Sequence, residues 1–178
     1  CHMVLEEAPS VRNEEADPNT RYIFVLSAKS PDSLYGILES FIMKKDRWMG
    51  ESLRDICFTM AVGRGHYNHR LAFLVRDNEE LLQKLAEALH SPSLAELPSG
   101  MFYHEHRLCN ADEIRDTEHD ISGEEIRKLT RSADAIINAL TSGYEDNSEY
   151  LSDICRLYVA GANVPWEKLY AGSNAGSV

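Results

Sequence analysis

The sequence lacks any apolar run long enough to span a bilayer, and it is short of basic residues. Its 178 residues include 18 Lys and Arg against 29 Asp and Glu, which gives a formal net charge of −11. Proteins that bind nucleic acid or anionic membranes need a basic face, so we expect neither as a partner. The first residues, "CHMVLEEAPS", lack the basic and apolar regions of a signal peptide, which predicts a cytoplasmic protein.

Cysteine is scarce and shows no motif. Apart from Cys1, the chain contains Cys57, Cys109 and Cys155, which are widely spaced and form no C-x-x-C pair. Cys57 and Cys155 lie within apolar helical patterns, where cysteine behaves as a small hydrophobe. We therefore expect reduced cysteines in a cytosolic protein.

The usual signatures of nucleophilic and acid–base catalysis are also missing. The chain contains no G-x-S-x-G elbow, and its serines lie in segments typical of caps and turns. Cys109 follows His104 and His106 closely, but nothing around it indicates an activated thiol. Paired acids lie in a tail or in the first turn of predicted helices, where they favour the helix dipole. The sequence therefore predicts no catalytic residue and no cofactor.

The segment "TMAVGRGHYNHRLAFLV", residues 59–75, contains one G-x-G unit beside an arginine. Phosphate-binding loops follow a strand and open a helix, whereas here a helix ends and a strand begins. This order argues against phosphate binding. Gly63 instead suits the end of a helix, because glycine accepts the left-handed conformation that ends many helices.

Four histidines are candidates for metal binding: His66, His69, His104 and His106. On one strand, His104 and His106 would project from the same face. Such a pair can chelate a metal only with a third ligand and supporting partners, so partly exposed edge histidines are the commoner explanation. We predict no metal, with a small metal-binding enzyme using His104 and His106 as the alternative.

Hydrophobic periodicity predicts three strands, "RYIFVLSA", "RLAFLV" and "MFYHEHRL". A first helix is predicted after a Ser30 cap, with Pro31 in its first turn, and a second from about Ser52 to Gly63. A third is predicted after a capping box of Asp77 and Glu80. Two C-terminal segments are also predicted to be helices, and the second of them ends at Gly161. The acidic residues 110–124 are expected to be mobile. This order predicts an α+β fold, an α/β two-layer arrangement in which helices cover one face of a small, three-stranded, mostly antiparallel sheet, with further C-terminal helices.

Three segments resemble parts of modular polyketide synthases. "HMVLEEAPS" resembles the end of a ketosynthase domain. "YIFVLSAKSPDSLYGILESF" and "SLRDICFTMAVGRGHYNHRLAFLVRDNEELLQKL" resemble the linker between ketosynthase and acyltransferase, most specifically in the block that contains Gly63, Arg64 and Arg70. "DICRLYVAGANVPWEKLY" resembles the segment that follows the acyltransferase, with Pro165 and Trp166 where the family usually has Asp-Trp.

The resemblance implies a linker whose acyltransferase is absent. In synthases with a built-in acyltransferase, a whole catalytic domain with its own serine nucleophile separates these segments. Here only about residues 95–145 lie between them, a stretch that matches no family motif. This arrangement resembles that of trans-acyltransferase synthases, in which the acyltransferase is a separate protein and the remnant has been called a docking domain. The implied partners are the ketosynthase of the same chain and a discrete malonyl-type acyltransferase.

The resemblance divides the chain into a ketosynthase remnant and lead-in over 1–20, a single linker or docking domain over 21–170, and a flexible tail over 171–178. Arg64 and Arg70 are expected to pair with backbone carbonyls or acids and so to fix a helix against the sheet. As aromatic residues near the acidic stretch, Tyr103 and Tyr144 are candidates for an exposed partner surface. A pure structural spacer, with no docking function, is the competing interpretation.

Overall fold

A computed structural model describes residues 20–109, 118–140 and 148–172. Tyr144, one of the two candidate surface aromatics, lies outside these ranges, as do residues 1–19 and 173–178. In chain order the elements are β1 (Tyr22–Ala28), α1 (Pro31–Met43), α2 (Lys45–Trp48), α3 (Leu53–Val62), β2 (His69–Val75), α4 (Asn78–His90), β3 (Met101–Glu105), β4 (Arg107–Cys109), β5 (Asp120–Ser122), α5 (Gly123–Leu140), α6 (Ser148–Val159) and α7 (Trp166–Gly172).

The main sheet has three antiparallel strands in the order β1-β2-β3, so β2 lies in the middle. Phe24 of β1 pairs with Phe73 of β2, and Ala72 pairs with Phe102 of β3. All seven residues of β2 are buried. The predicted α+β class and the three-stranded antiparallel sheet are confirmed.

Helices cover both faces of this sheet, with α1 on one face and the C-terminal helix α6 on the other. The Phe24 ring stacks on Phe73 and meets the edge of Phe41 in α1 at 5.2 Å. Adjacent strand residues point to opposite faces, so Arg70 lies on the other side, where it contacts Tyr158 of α6. The burial of every β2 side chain has this physical cause, since a central strand covered on both sides needs no polar alternation.

The third predicted strand is divided in the structure. "MFYHEHRL" forms β3 up to Glu105 and then β4 from Arg107, and β4 pairs in parallel with β5. The Arg107 Nε lies 3.1 Å from Oδ1 of the buried Asp120, its register partner. Part of the stretch expected to be mobile is therefore an ordered strand. A three-residue strand held by a distant ion pair has too short a pattern to be recognised from sequence.

The predicted helix caps are present. The Ser30 Oγ accepts the Ser33 N–H at 3.2 Å, and Pro31 occupies the first turn of α1. The Asp77 Oδ1 accepts the Glu80 N–H at 2.7 Å. The Glu80 carboxylate reaches back one residue further than a capping box requires, to the Arg76 N–H. These local rules fix where α1 and α4 begin.

Two glycines end helices in different ways. Gly63 follows α3 with a φ of −79°, so the prediction of a left-handed conformation at this residue was wrong. Its lack of a side chain is needed for space, because a Cβ would lie 2.7 Å from the Thr59 carbonyl oxygen. Gly161, in contrast, has a φ of +120°. Its N–H donates to the Tyr158 carbonyl while the Ala162 N–H donates to Leu157, the pattern of a Schellman motif.

The core contains both tryptophans and several other aromatic side chains. Trp48, Tyr158, Trp166 and Tyr170 are all buried. The cysteines at 57, 109 and 155 are free and buried, as expected for reduced thiols, and burial raises the pKa of the first and third well above the ordinary value. Within the described ranges, no helix combines the length and apolarity that crossing a membrane requires.

Candidate functional site

The segment between α3 and β2 is attached to the rest of the fold through Arg70. This side chain is 4% exposed and donates three hydrogen bonds to backbone carbonyls. Its Nε donates to Tyr67, and one terminal nitrogen donates to Tyr158 at 3.0 Å and to Ala162 at 2.7 Å. Tyr158 is in the last turn of α6, where its carbonyl also accepts the Gly161 N–H, and Ala162 follows the turn that ends this helix. A cation is favourable at this end because of the helix dipole. Arg70 therefore joins the central strand to α6.

The guanidinium is also placed against an aromatic ring. Its central carbon lies 4.9 Å from the centroid of the Tyr158 ring. Burial lowers the pKa of Arg70, but arginine starts so high that the group stays charged at neutral pH. The charge is offset by the three carbonyl dipoles and the ring face, with no acidic partner in these contacts.

His66 connects the same segment to α3 and α6. One ring nitrogen, Nε2, lies 2.9 Å from the Ala61 carbonyl, and Nδ1 lies 2.8 Å from the Tyr158 hydroxyl. A carbonyl can only accept, so Nε2 carries the proton and Nδ1 of the neutral ring accepts from Tyr158. Burial lowers the pKa of His66, and the nearby Arg70 charge acts in the same direction. His66 is a neutral structural link.

Ser27 and Trp166 complete these attachments. The Ser27 Oγ donates to the Gly65 carbonyl at 3.2 Å and accepts the Tyr67 N–H at 3.1 Å. Trp166, 4% exposed at the start of α7, packs edge-on against Tyr158 at 5.3 Å between ring centroids. Residues of β1, β2, α6 and α7 thus hold a segment that sequence inspection raised as a possible active-site loop.

Arg64 differs from Arg70. It is exposed and has no hydrogen bond or ion pair with any residue that the structure describes. The expected role of fixing a helix against the sheet is therefore not seen for Arg64. Its side chain instead lines the rim of a cleft beside β1, together with Tyr67.

The structure separates the environments of His104 and His106. His106 is 7% exposed between β3 and β4, and its Nδ1 is buried with no hydrogen-bond partner among the described residues. Burial and the positive charge of Arg70 lower the pKa of His106 to about 4. His104 is half-buried, and its ring centroid lies 5.4 Å from that of His119. In the part of the chain that the structure describes, no three His, Cys, Asp or Glu side chains are placed to hold a metal ion.

Tyr103 is not the exposed aromatic that was expected. It is half-buried against the core, and its hydroxyl lies 2.9 Å from Nδ1 of the buried His69. Burial raises the pKa of Tyr103, and the negative charge of Glu105 adds to that shift. This hydroxyl faces a strand neighbour, so Tyr103 contributes to packing more than to a partner surface.

Sequence reasoning missed His66, Tyr158 and Ser27 as members of the network around Arg70. His66 was considered only as a candidate metal ligand. The contact between His66 and Tyr158 spans 92 residues of chain, and the contact of Ser27 with Gly65 spans 38. The only local signal is the position of His66 and Arg70 on either side of a helix-to-strand connection.

Comparison with known proteins identifies the class of this chain. Residues 22–85 match the family described as CurL-like, PKS C-terminal, where PKS denotes polyketide synthase. The chain is 30% identical over 176 residues to polyketide synthase PksL of Bacillus subtilis (strain 168) and 31% identical over 180 residues to PksR of the same strain. These matches cover 96% and 98% of this chain but only 3% and 6% of the two relatives.

Solved structures agree with this assignment. The ketosynthase from module 6 of the bacillaene synthase from Bacillus subtilis 168 superimposes with a TM-score of 0.59 at 27% identity, over 84% of this chain and 23% of that chain. Ketosynthase twelve of the bacillaene synthase of Bacillus amyloliquefaciens shares the fold, with a TM-score of 0.55 at 21% identity, over 85% of this chain and 22% of that one.

The chain therefore carries a CurL-like PKS C-terminal domain. It is homologous to segments of the bacterial polyketide synthases PksL and PksR and to part of the module 6 ketosynthase structure. The resemblance inferred from the sequence is confirmed at this level.

Proposed function

We propose that this domain is a non-catalytic linker of a bacterial modular polyketide synthase, working in the cytoplasm, which packs beside a ketosynthase and docks a discrete malonyl-type acyltransferase. The observation that carries the proposal is the match of 84% of the chain, at 27% identity, within a chain described as a ketosynthase. That match supports a linker that shares a polypeptide with a ketosynthase and packs against it.

The organisation of the chain supports the docking part of the proposal. Segments that resemble the regions before and after an acyltransferase are separated only by about residues 95–145. That stretch contributes β3, β4, β5 and α5 to the fold, and it is far shorter than a catalytic domain. Acyl groups would then have to be delivered by a separate protein, which needs a place to bind.

The interaction we propose is transient and electrostatically assisted. A net charge of −11 favours encounter with a basic patch on the partner and makes the association rate fall with added salt. Transient encounters of this kind bury modest areas.

The test is a calorimetric titration of the discrete acyltransferase from the same synthase into three proteins: the ketosynthase alone, this domain alone, and the two joined. We expect heat of binding with both proteins that contain this domain and none with the ketosynthase alone. If neither protein shows binding, while joining this domain to the ketosynthase buries a large face of it, the domain is a structural spacer and docking is wrong.

A further inference from the structure

The corner where α1 meets α2 is basic although the chain as a whole is acidic. Lys44 lies between the two helices, and Lys45 and Arg47 belong to α2. All three side chains are exposed, and none forms an ion pair with any residue that the structure describes. Asp46, also exposed, is the acid among them. Residues 43–47, the basic corner, therefore carry unpaired positive charge.

Met43 adds an exposed apolar group to the basic corner. Its side chain is 78% exposed, the highest value of any large apolar residue that the structure describes. Trp48, at the end of α2, is buried and its Nε1 donates to the Phe41 carbonyl at 2.9 Å, so the corner is held firmly to α1. The dipole at the C-terminal end of α1 favours nearby cations, but it gives no reason for an exposed methionine. Flexible methionine side chains are common where a surface binds another segment.

The basic corner lies at the end of the sheet where β1 begins. Phe41, near the end of α1, packs against Phe24 of β1 with 5.2 Å between the ring centroids. At the same end, Asn78 follows the β2 residue that pairs with Tyr22 by three positions, and its side chain donates to the Met49 carbonyl just after α2 at 3.0 Å. The chain therefore enters β1 close to the basic corner.

The segment that leads into β1 is acidic. Residues 13–20, "NEEADPNT", include Glu14, Glu15 and Asp17 and no basic residue. An extended chain covers about 3.3–3.6 Å per residue, so these three carboxylates reach up to about 15–30 Å from Tyr22. That distance is enough to arrive at the basic corner, which lies at the same end of the sheet. Three carboxylates on a short tether thus have three unpaired cations within reach.

We propose that the basic corner binds residues 14–17 of the same chain, whose carboxylates meet its three cations and whose backbone covers Met43. Exposed ion pairs are weak between separate molecules, but a short tether keeps the two sets of charges at a high effective concentration. The contact sets the direction in which the chain before β1 leaves the domain. The proposal is independent of acyltransferase docking, and either one can fail while the other holds.

Charge reversal at the basic corner tests the proposal in the full chain. Trypsin can cut after Arg12, and binding of residues 14–17 should slow this cut, because a protease acts on the released segment. A triple variant reverses the three cations of the corner: Lys44→Glu, Lys45→Glu and Arg47→Glu. We expect the cut after Arg12 to become about three- to tenfold faster in this variant. The difference from the unmodified chain should vanish in about 1 M salt, which screens exposed charges.

The α5 helix offers a matched control for this variant. It carries three exposed cations that also lack ion pairs among the described residues: Arg127, Lys128 and Arg131. Reversing these three to glutamate changes the net charge by the same amount at a distance from β1. The α5 variant should therefore be cut after Arg12 at the rate of the unmodified chain.

Substitutions in the acidic segment give a second test, which does not require the corner variant to fold. The full chain is labelled on its methionine methyl groups and followed by NMR. Glu14→Gln with Glu15→Gln should shift the Met43 signal, whereas Glu6→Gln with Glu7→Gln should leave it in place, because that pair is on a longer tether. Equal cutting of the two triple variants, a Met43 signal that ignores the first pair, or equal shifts from both pairs would overturn the proposal.

Discussion

Arg70 and His106 are two buried polar side chains near the same end of α6, and they are satisfied to very different degrees. Arg70 is 4% exposed and donates to three carbonyls. His106 is 7% exposed, and its buried Nδ1 has no hydrogen-bond partner in the described part of the chain. The two side chains are thus almost equally buried, but their hydrogen-bonding groups are satisfied to different degrees. The difference shows that Arg70 is retained as a charged link, whereas His106 is tolerated only as a neutral ring.

Arg70 also affects His106. The Arg70 charge, after burial itself, lowers the pKa of His106. Both lie against the turn that ends α6, where Gly161 brings the backbone close to the imidazole. A Cβ at that position would lie 3.6 Å from Cδ2 of His106. The turn at the end of α6 thus accepts hydrogen bonds from Arg70 and also covers the His106 ring.

The largest effect is expected from Arg70→Met, which keeps much of the apolar contact but removes the arginine donor from the Ala162 carbonyl and leaves the Tyr158 carbonyl with only the Gly161 N–H. Losing buried hydrogen bonds to a charged group should lower the free energy of unfolding by about 4 kcal/mol. Urea denaturation measures this loss. Arg64→Met, at an exposed arginine with no partner among the described residues, is the matched control and should change stability little. Equal stabilities of the two variants would remove the linking role of Arg70.

The stability of the fold should depend on pH through His106. The pKa of His106 is about 4 in the folded chain and about 6.5 when exposed. Between pH 4 and pH 6.5 the protein therefore binds a proton at His106 when it unfolds. Above pH 6.5 the ring is neutral in both states and His106 does not lower the free energy of unfolding. As the pH falls toward 4, protonation of the unfolded chain lowers this free energy by about 3 kcal/mol in total. Urea midpoints measured at pH 7, 5.5 and 4 give this slope.

The variant His106→Phe should be less sensitive to acid over the same interval, because it removes the titrating ring. The corresponding replacement of His90, an exposed residue at the end of α4, is the control. A pH dependence that is the same in His106→Phe and in the unmodified chain would show that another group is responsible.

The smallest effects concern the turn that both groups share. Gly161→Ala places a side chain at a φ of +120° and a Cβ 3.2 Å from Cδ1 of Ile121, so we expect a loss of about 1–2 kcal/mol. Gly36→Ala in α1 should have the opposite sign. A Cβ there meets nothing within 4 Å, and alanine favours a helix over glycine by about 0.5–1 kcal/mol. Thermal melts of the two variants would contradict this account if both moved in the same direction.

The sequence predicted the elements whose boundaries depend on interactions between residues close together in the chain. Ser30 and Asp77 mark the starts of α1 and α4 in the sequence as they do in the structure, and Gly161 marks the end of α6. The apolar runs of β1 and β2 were likewise recognisable, because each is continuous over its strand. These elements account for most of the sheet and for the fold class.

The parts that could not be predicted depend on contacts between distant residues. Arg70 donates to the Tyr158 carbonyl in α6 and to the Ala162 carbonyl just after this helix, 88 and 92 residues away, and nothing near Arg70 in the sequence marks them. Strand β4 exists because Asp120 and Arg107 meet, which splits a pattern that reads as one strand. Tyr103 alternates like an exposed strand residue, but its hydroxyl is turned toward His69.

We have proposed that this domain is a non-catalytic linker that packs against a ketosynthase. The most direct measurement is hydrogen–deuterium exchange of the domain alone and of the same domain joined to the ketosynthase of its synthase. The account predicts that one continuous surface, exposed in the isolated domain, becomes protected in the joined protein. Identical exchange throughout the domain in the two proteins would contradict it.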